Sequence, residues 1–236
     1  MGFAPAFDVA RAAETLRQSG RVHISNVLAE ADAESLLADM EGARWSTALL
    51  SQDQILRLTP GMADALDVGQ RNRILTETYA EAGPHFQYLY DKFSIDAVIA
   101  AGRPCPPHLA ALYAAFNSPE WLNTFRALTG DERVARVDCH VSRYRPGHFL
   151  SAHDDEDPTN ERLFAYVLNL SKGWHVEWGG LLQFHDAEGH LSGAFTPRWN
   201  ALNIFKVPQA HSVSMVTPSA KFDRFSITGW LLKAAA

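Results

Sequence analysis

The chain has 236 residues, 47% of them hydrophobic, with a formal net charge of −6 and a pI near 5.9. That length suits one domain with elaborations, the apolar fraction argues against disorder, and an acidic total is not that of a nucleic-acid binder carrying a basic face. Two cysteines, Cys105 and Cys139, are too few for a disulfide framework and read as reduced core residues.

The N-terminus shows no basic region followed by an apolar stretch, and no apolar run is long enough to span a bilayer, so a cytoplasmic protein without membrane attachment is expected. Asp8 can cap a helix carrying Val9, Ala12, Ala13 and Leu16 that Gly20 ends. Residues 21–28 alternate as a strand, 30–41 form an amphipathic helix with Ala33, Leu36, Leu37 and Met40 on one face, and 44–50 read as a strand. The stretch 51–84 is polar and Gly-punctuated and reads as a long loop, and residues from about 70 to 95 are expected to contribute a lid. Residues 86–95 alternate weakly as a strand. Helices are predicted over 107–116 and 118–128, the second opened by Ser118-Pro119-Glu120.

After Gly130 the pattern turns to β. The runs 134–144, 163–170, 181–185, 201–207, 212–216 and 222–232 are short, rich in β-branched and aromatic residues, and separated by Gly, Pro and Asn. The expected fold is mainly β with N-terminal helices, a jelly-roll core packed against helices, in a single domain. Residues 1–133 form its mixed N-terminal part and 134–233 its β core.

His153-Asp154-Asp155 contains a His-x-Asp pair whose side chains would share one side of an extended segment. His211, in Gln209-Ala-His-Ser-Val, is the best third ligand. Two imidazoles and one carboxylate on one face of an ion leave positions open, the arrangement suited to Fe(II) that activates oxygen. Two rivals stand on ligand chemistry alone: the pair His175-Val-Glu177, and a Ca²⁺ site in the acidic run 154–157. Arg224-Phe-Ser226 places a guanidinium and a hydroxyl on one face of the last strand, a pair suited to clamping a carboxylate such as that of a bound diacid.

These residues carry a resemblance. Tyr144-Arg-Pro-Gly-His-Phe-Leu-Ser-Ala-His153-Asp-Asp155 resembles the opening motif of the prolyl-hydroxylase-like 2-oxoglutarate oxygenases. Tyr166-Val-Leu-Asn169-Leu, Trp178-Gly-Gly-Leu-Leu-Gln-Phe, Pro197-Arg-Trp-Asn200 with His211-Ser-Val, and Arg224-Phe-Ser-Ile-Thr-Gly-Trp230 resemble the blocks that follow, in the same order over about residues 134–232. The family implies a double-stranded β-helix. Carried over, the resemblance makes His153, Asp155 and His211 the ligands of Fe(II). Arg224, Ser226, Tyr144 and Asn169 become cosubstrate-binding residues. It also sets aside His175 and Glu177.

Lys221 is the alternative to Arg224, because related collagen-type enzymes use a lysine at about its distance from the distal histidine. The implied activity is hydroxylation of an aliphatic C–H using O₂ and 2-oxoglutarate, with ascorbate a candidate reductant. The implied substrate is a prolyl residue of a protein or peptide, or else a free amino acid or other small molecule; nucleic-acid demethylation and a non-catalytic binding role fit less well. In such architectures the segment before the core commonly supplies the substrate side. Trp174, Trp178, Arg143, Arg145 and Arg198 are candidates for an entrance.

Overall fold

The helices Val9–Ser19, Val68–Glu81 and Pro119–Thr129 start at side-chain caps. The structure is a computed structural model describing residues 5–51, 54–83, 85–156, 159 and 161–234. Expectations about the first four residues, about Asp157 of the acidic run and about the last two alanines lie outside the described residues. Helix α1 (Val9–Ser19) starts where Asp8 accepts from the Arg11 backbone N–H and stops at Gly20 with φ +70°. Strand β1 (Arg21–Ser25) and helix α2 (Glu30–Glu41) follow.

The stretch expected to be a long loop is structured. It holds β2 (Ser46–Ser51), β3 (Gln54–Leu58), α3 (Pro60–Ala65) and α4 (Val68–Glu81). Asp67 and Gln70 form a reciprocal capping box that starts α4, and its polar exposed face had masked the helix in the sequence. Strand β4 (Tyr88–Ser94) and helices α5 (Ile95–Ala100), α6 (Pro107–Phe116) and α7 (Pro119–Thr129) complete the first part, with Ser118 capping α7 and Gly130 ending it.

The remaining strands are β5 (Arg136–Val137), β6 (His140–Tyr144), β7 (Phe149–His153), β8 (Arg162–Asn169), β9 (Leu182–His185), β10 (Leu191–Phe195), β11 (Ala201–Lys206), β12 (His211–Val213) and β13 (Arg224–Leu232). They form a mostly antiparallel, nearly closed jelly roll in the order β1-β11-β8-β13-β6-β4-β7-β12-β9-β10. Strand β4 lies between β6 and β7, so residues 88–94 form barrel wall, not the lid that was expected. Backbone pairing holds it on both edges.

Alternation along β8 and β13 separates two interiors. Phe164, Tyr166 and Leu168, with Ile227 and Leu231, face the helices and pack with Leu112, Phe116, Trp121 and Phe125. The alternate set, Ala165 and Val167 with Arg224, Thr228 and Trp230, faces into the barrel. Cys139 is buried in the helix-side core, Cys105 packs at its edge, and both are free thiols. Among the described residues no helix is long and apolar enough to cross a membrane.

Candidate active site

A cavity of about 490 Å³ opens inside the barrel. His153, Asp155 and His211 lie on its wall, with one ligand atom from each within 4.8 Å of the others. Two local devices bring them together. Strands β7 and β12 pair so that His211 stands in register with His153. Their ring centroids are 4.1 Å apart.

Asp155 arrives by a different route from the one the spacing suggested. Strand β7 ends at His153, and Asp155 has φ +62°, so a left-handed turn rather than strand alternation returns its carboxylate toward the histidine. Its Oδ1 is 3.5 Å from His153 Nε2 and its Oδ2 3.6 Å from His211 Nε2.

Both imidazoles are oriented the same way. His153 Nδ1 donates to the Ser151 carbonyl at 3.0 Å and His211 Nδ1 to the Gln209 carbonyl at 2.7 Å. A carbonyl only accepts, so each Nδ1 carries its proton and each Nε2 presents a lone pair to the cavity. Trp230 Nε1 donates to Asp155 Oδ2 at 3.0 Å and fixes the carboxylate.

Electrostatics agree with a cation site. Burial opposes the charge of Asp155, but the imidazoles beside it and the Trp230 N–H hold its carboxyl below the usual range. Burial and the neighbouring His153 push His211 down to about 4, which keeps it neutral. Burial also opposes protonation of His153, yet Asp155 raises its proton affinity overall, an attraction that a bound cation would take over.

Deeper in the cavity sits Arg224, 1% exposed. Its guanidinium lies 4.9 Å from the Tyr144 ring centroid, and Nη1 donates to Ser226 Oγ over 3.4 Å. Its Nε has no partner, and no carboxylate among the described residues pairs with it. A buried cation without a counter-ion is costly unless an anion joins it. Gly180 makes the room: a Cβ there would lie 3.0 Å from Arg224 Cδ. Burial pushes the Tyr144 hydroxyl up to about 12, so it stays protonated and able to donate.

Ser226 and Asn169 lie on the same side of β13 and β8 as Arg224 and Val167 but do not line the cavity. Ser226 Oγ is 2.8 Å from Ser142 Oγ, and Asn169 donates to the Val167 and Ala201 carbonyls. Lys221 is exposed and does not line the cavity. The proposed entrance residues are also elsewhere. Arg143 and Arg145 bind buried Asp91 on the opposite face of the sheet, while Trp174 and Trp178 pack against Tyr144 and Val213 of the cavity wall without lining the cavity themselves. Arg198 lines a different cleft. The sequence analysis had given no role to Lys92, Arg162 or Tyr90, which line the cavity too. The periodicity of Tyr88, Tyr90 and Lys92 on one face of β4 is the signal that could have found two of them.

Residues 139–232 match the model of the 2OG-Fe(II) oxygenase superfamily. That stretch resembles a 2OG-Fe(II) oxygenase domain. The superfamily uses Fe(II), 2-oxoglutarate and O₂. The chain is 31% identical over 135 residues to the Mus musculus prolyl 3-hydroxylase OGFOD1; the match covers 52% of this chain and 23% of the mouse protein.

Its fold resembles a Pseudomonas putida prolyl-4-hydroxylase, with a TM-score of 0.60, 17% identity and coverage of 97% of this chain and 100% of the other. It also resembles a Trichoplax adhaerens prolyl hydroxylase in complex with a hypoxia-inducible-factor degradation-domain peptide, with a TM-score of 0.62, 15% identity and coverage of 95% and 89%.

Proposed function

We propose that this oxygenase hydroxylates an aliphatic C–H, that of a prolyl residue in a protein or peptide. The carrying observation is the convergence of two Nε2 lone pairs and one carboxylate beside a buried guanidinium that has no acid of its own. This donor set fits Fe(II), and Arg224 fits the distal carboxylate of 2-oxoglutarate. When bound, the two together supply the O₂ activation that oxidises a C–H bond and converts 2-oxoglutarate to succinate and CO₂.

The chain's own residues do the rest. His153, Asp155 and His211 would hold the metal. Arg224 and the Tyr144 hydroxyl would orient the cosubstrate, with Ser226 holding the Arg224 guanidinium and Asn169 paired with Ser226 across β8 and β13. Trp230 and the Ser151 and Gln209 carbonyls hold the ligands in place. The apolar side chains of Val167, Leu182, Phe205 and Val213 line the interior and exclude water.

Residues 1–133 serve as support and as the substrate side of the domain. Phe86, Tyr88, Tyr90 and Lys92 come from that part and line the cavity. The prolyl substrate is supported by the likeness to a mouse prolyl 3-hydroxylase and by the shared fold of prolyl hydroxylases. Assays with Fe(II), ascorbate, 2-oxoglutarate and a panel of prolyl peptides test it. The expected result is succinate formation matched by a gain of one oxygen atom on proline; turnover of 2-oxoglutarate without any oxygenated peptide would refute the substrate class.

A further inference from the structure

The interior of the barrel has two cationic ends, and the oxygenase chemistry uses one. Along β13 the residues Arg224, Ser226 and Thr228 stand in register with Tyr144, Ser142 and His140 of β6. Arg224 marks one end. Toward the other end lie Thr228, Trp230 and His140, and beside them are Lys92 and Arg162. Lys92 stands in register with Ser142, and Arg57, Asp96, Asp138 and Arg162 are among the charges that act on it. Asp155 is held by Trp230 and lies 3.9 Å from Arg162 Nη1, so the metal ligands sit between the two ends and adjoin the second.

Lys92 is substantially buried, yet no hydrogen bond or ion pair holds its ammonium among the described residues; burial pushes its proton affinity down, and Arg57 adds to that. Asp96 and Asp138 act on it only at longer range. Asp138 Oδ1 accepts from the Trp230 backbone N–H. Asp154 and Glu156 at the rim are exposed and do not pair with Lys92. Arg162 stacks over the Trp230 ring at 3.8 Å, which fixes its guanidinium plane at the cavity wall. Lysine is seldom buried without a partner, because its desolvation is then uncompensated. In a chain with a net charge of −6, Lys92 and Arg162 together make this end of the cavity locally cationic, a site suited to an anion.

We propose that Lys92, with Arg162 beside it, binds a carboxylate of the substrate at the end of the cavity away from Arg224. This rests on the oxygenase reading, in which the two carboxylates of 2-oxoglutarate are taken by the metal and by Arg224, leaving the second cationic end to the substrate. Two sources carry the same chemistry: an Asp or Glu side chain next to the reacting residue of a peptide, or the α-carboxylate of a free amino acid. The residues act by position and charge, setting which substrates are held with a C–H toward the metal.

The test uses the whole chain loaded with Mn(II), which binds like Fe(II) without turnover, and reads the relaxation of metal-bound water. Binding of 2-oxoglutarate is measured first; its absence in the wild type would refute the oxygenase reading itself. Matched pairs are then titrated into the Mn(II) and 2-oxoglutarate complex: N-acetylated Pro-Asp against Pro-Asn peptides, and L-proline against L-prolinamide. One pair or the other is expected to show the acid bound at least about tenfold more tightly than its neutral partner, as a desolvated charge-assisted contact gives.

Which pair does so identifies the source. In Lys92→Met the preference should collapse to within about twofold, and in Lys92→Arg it should persist, while 2-oxoglutarate affinity stays near that of the wild type. No acid preference in either pair, a preference that survives Lys92→Met, or a Lys92→Met protein whose loss falls on 2-oxoglutarate instead would overturn the proposal.

Discussion

Replacing Arg224 by Met should make the ligand-free protein more stable while removing its response to 2-oxoglutarate. The guanidinium is 1% exposed, its Nε has no partner, and its compensation is the Tyr144 ring at 4.9 Å and a long hydrogen bond of 3.4 Å to Ser226. The ring contributes about 1–2 kcal/mol and the hydrogen bond about 1 kcal/mol or less, against a desolvation cost of several kcal/mol for the buried ion. A methionine of similar length keeps the contact with Gly180 and removes the charge. The net gain is about 1–3 kcal/mol, which raises Tm by roughly 2–10 °C at this chain length.

The wild type, in turn, gains about 2.7 kcal/mol from 2-oxoglutarate at a hundred times its Kd, and Arg224→Met gains little at the same concentration. Thermal unfolding of Mn(II)-loaded wild type and variant, with and without 2-oxoglutarate, reads both effects. A variant less stable than the wild type without ligand would make Arg224 a structural residue. Equal ligand-induced shifts in the two proteins would remove it from the cosubstrate site.

Trp230→Phe keeps the ring packing but deletes the donor to Asp155, and should weaken Co(II) binding by about 10–100-fold in a spectrophotometric titration; an affinity within about twofold of the wild type would show that the carboxylate orients without it. Gly180→Ala adds a Cβ 3.0 Å from Arg224 Cδ at a backbone φ of +64°, so calorimetry should find 2-oxoglutarate binding about tenfold weaker, and unchanged binding would mean the guanidinium has slack.

Asp138 tests the pH dependence of stability. Burial pushes its carboxyl up to about 6, so the folded state holds a proton that the unfolded chain releases near pH 3.9, and the wild type loses stability as pH rises between those values. Asp138→Asn keeps the acceptor for the Trp230 backbone N–H and cannot ionise. Relative to the wild type it should gain on the order of 2 kcal/mol between pH 4 and pH 7 in urea unfolding, and a constant difference would contradict the assignment.

The second half of the chain was the more legible. Strands β8, β11 and β13 announce themselves through uninterrupted apolar or alternating runs, because both faces of that part of the sheet are covered. His153 and His211 could be paired from residue type and flanking blocks. Their register across β7 and β12 could not, since β7 is a short strand whose pattern is broken by Ser151 and Ala152. Asp155 reached the site for a reason the spacing did not contain, a positive φ that an Asp tolerates better than most residues.

The first half concealed more. Strand β4 alternates visibly, but its place between β6 and β7 depends on long-range pairing that no local pattern encodes. The entrance expected at Arg143 and Arg145 failed because strand parity turns them outward, where Asp91 neutralises them.

The central claim is that His153, Asp155 and His211 hold Fe(II) with 2-oxoglutarate anchored on Arg224. Anaerobic titration of the Fe(II)-loaded protein with 2-oxoglutarate, followed by visible absorption, tests it most directly. The account predicts a saturable charge-transfer band that is lost in Asp155→Ala and needs far more 2-oxoglutarate in Arg224→Met. An Fe(II)-loaded wild type that shows no such band, or an Asp155→Ala protein that shows it undiminished, would contradict it.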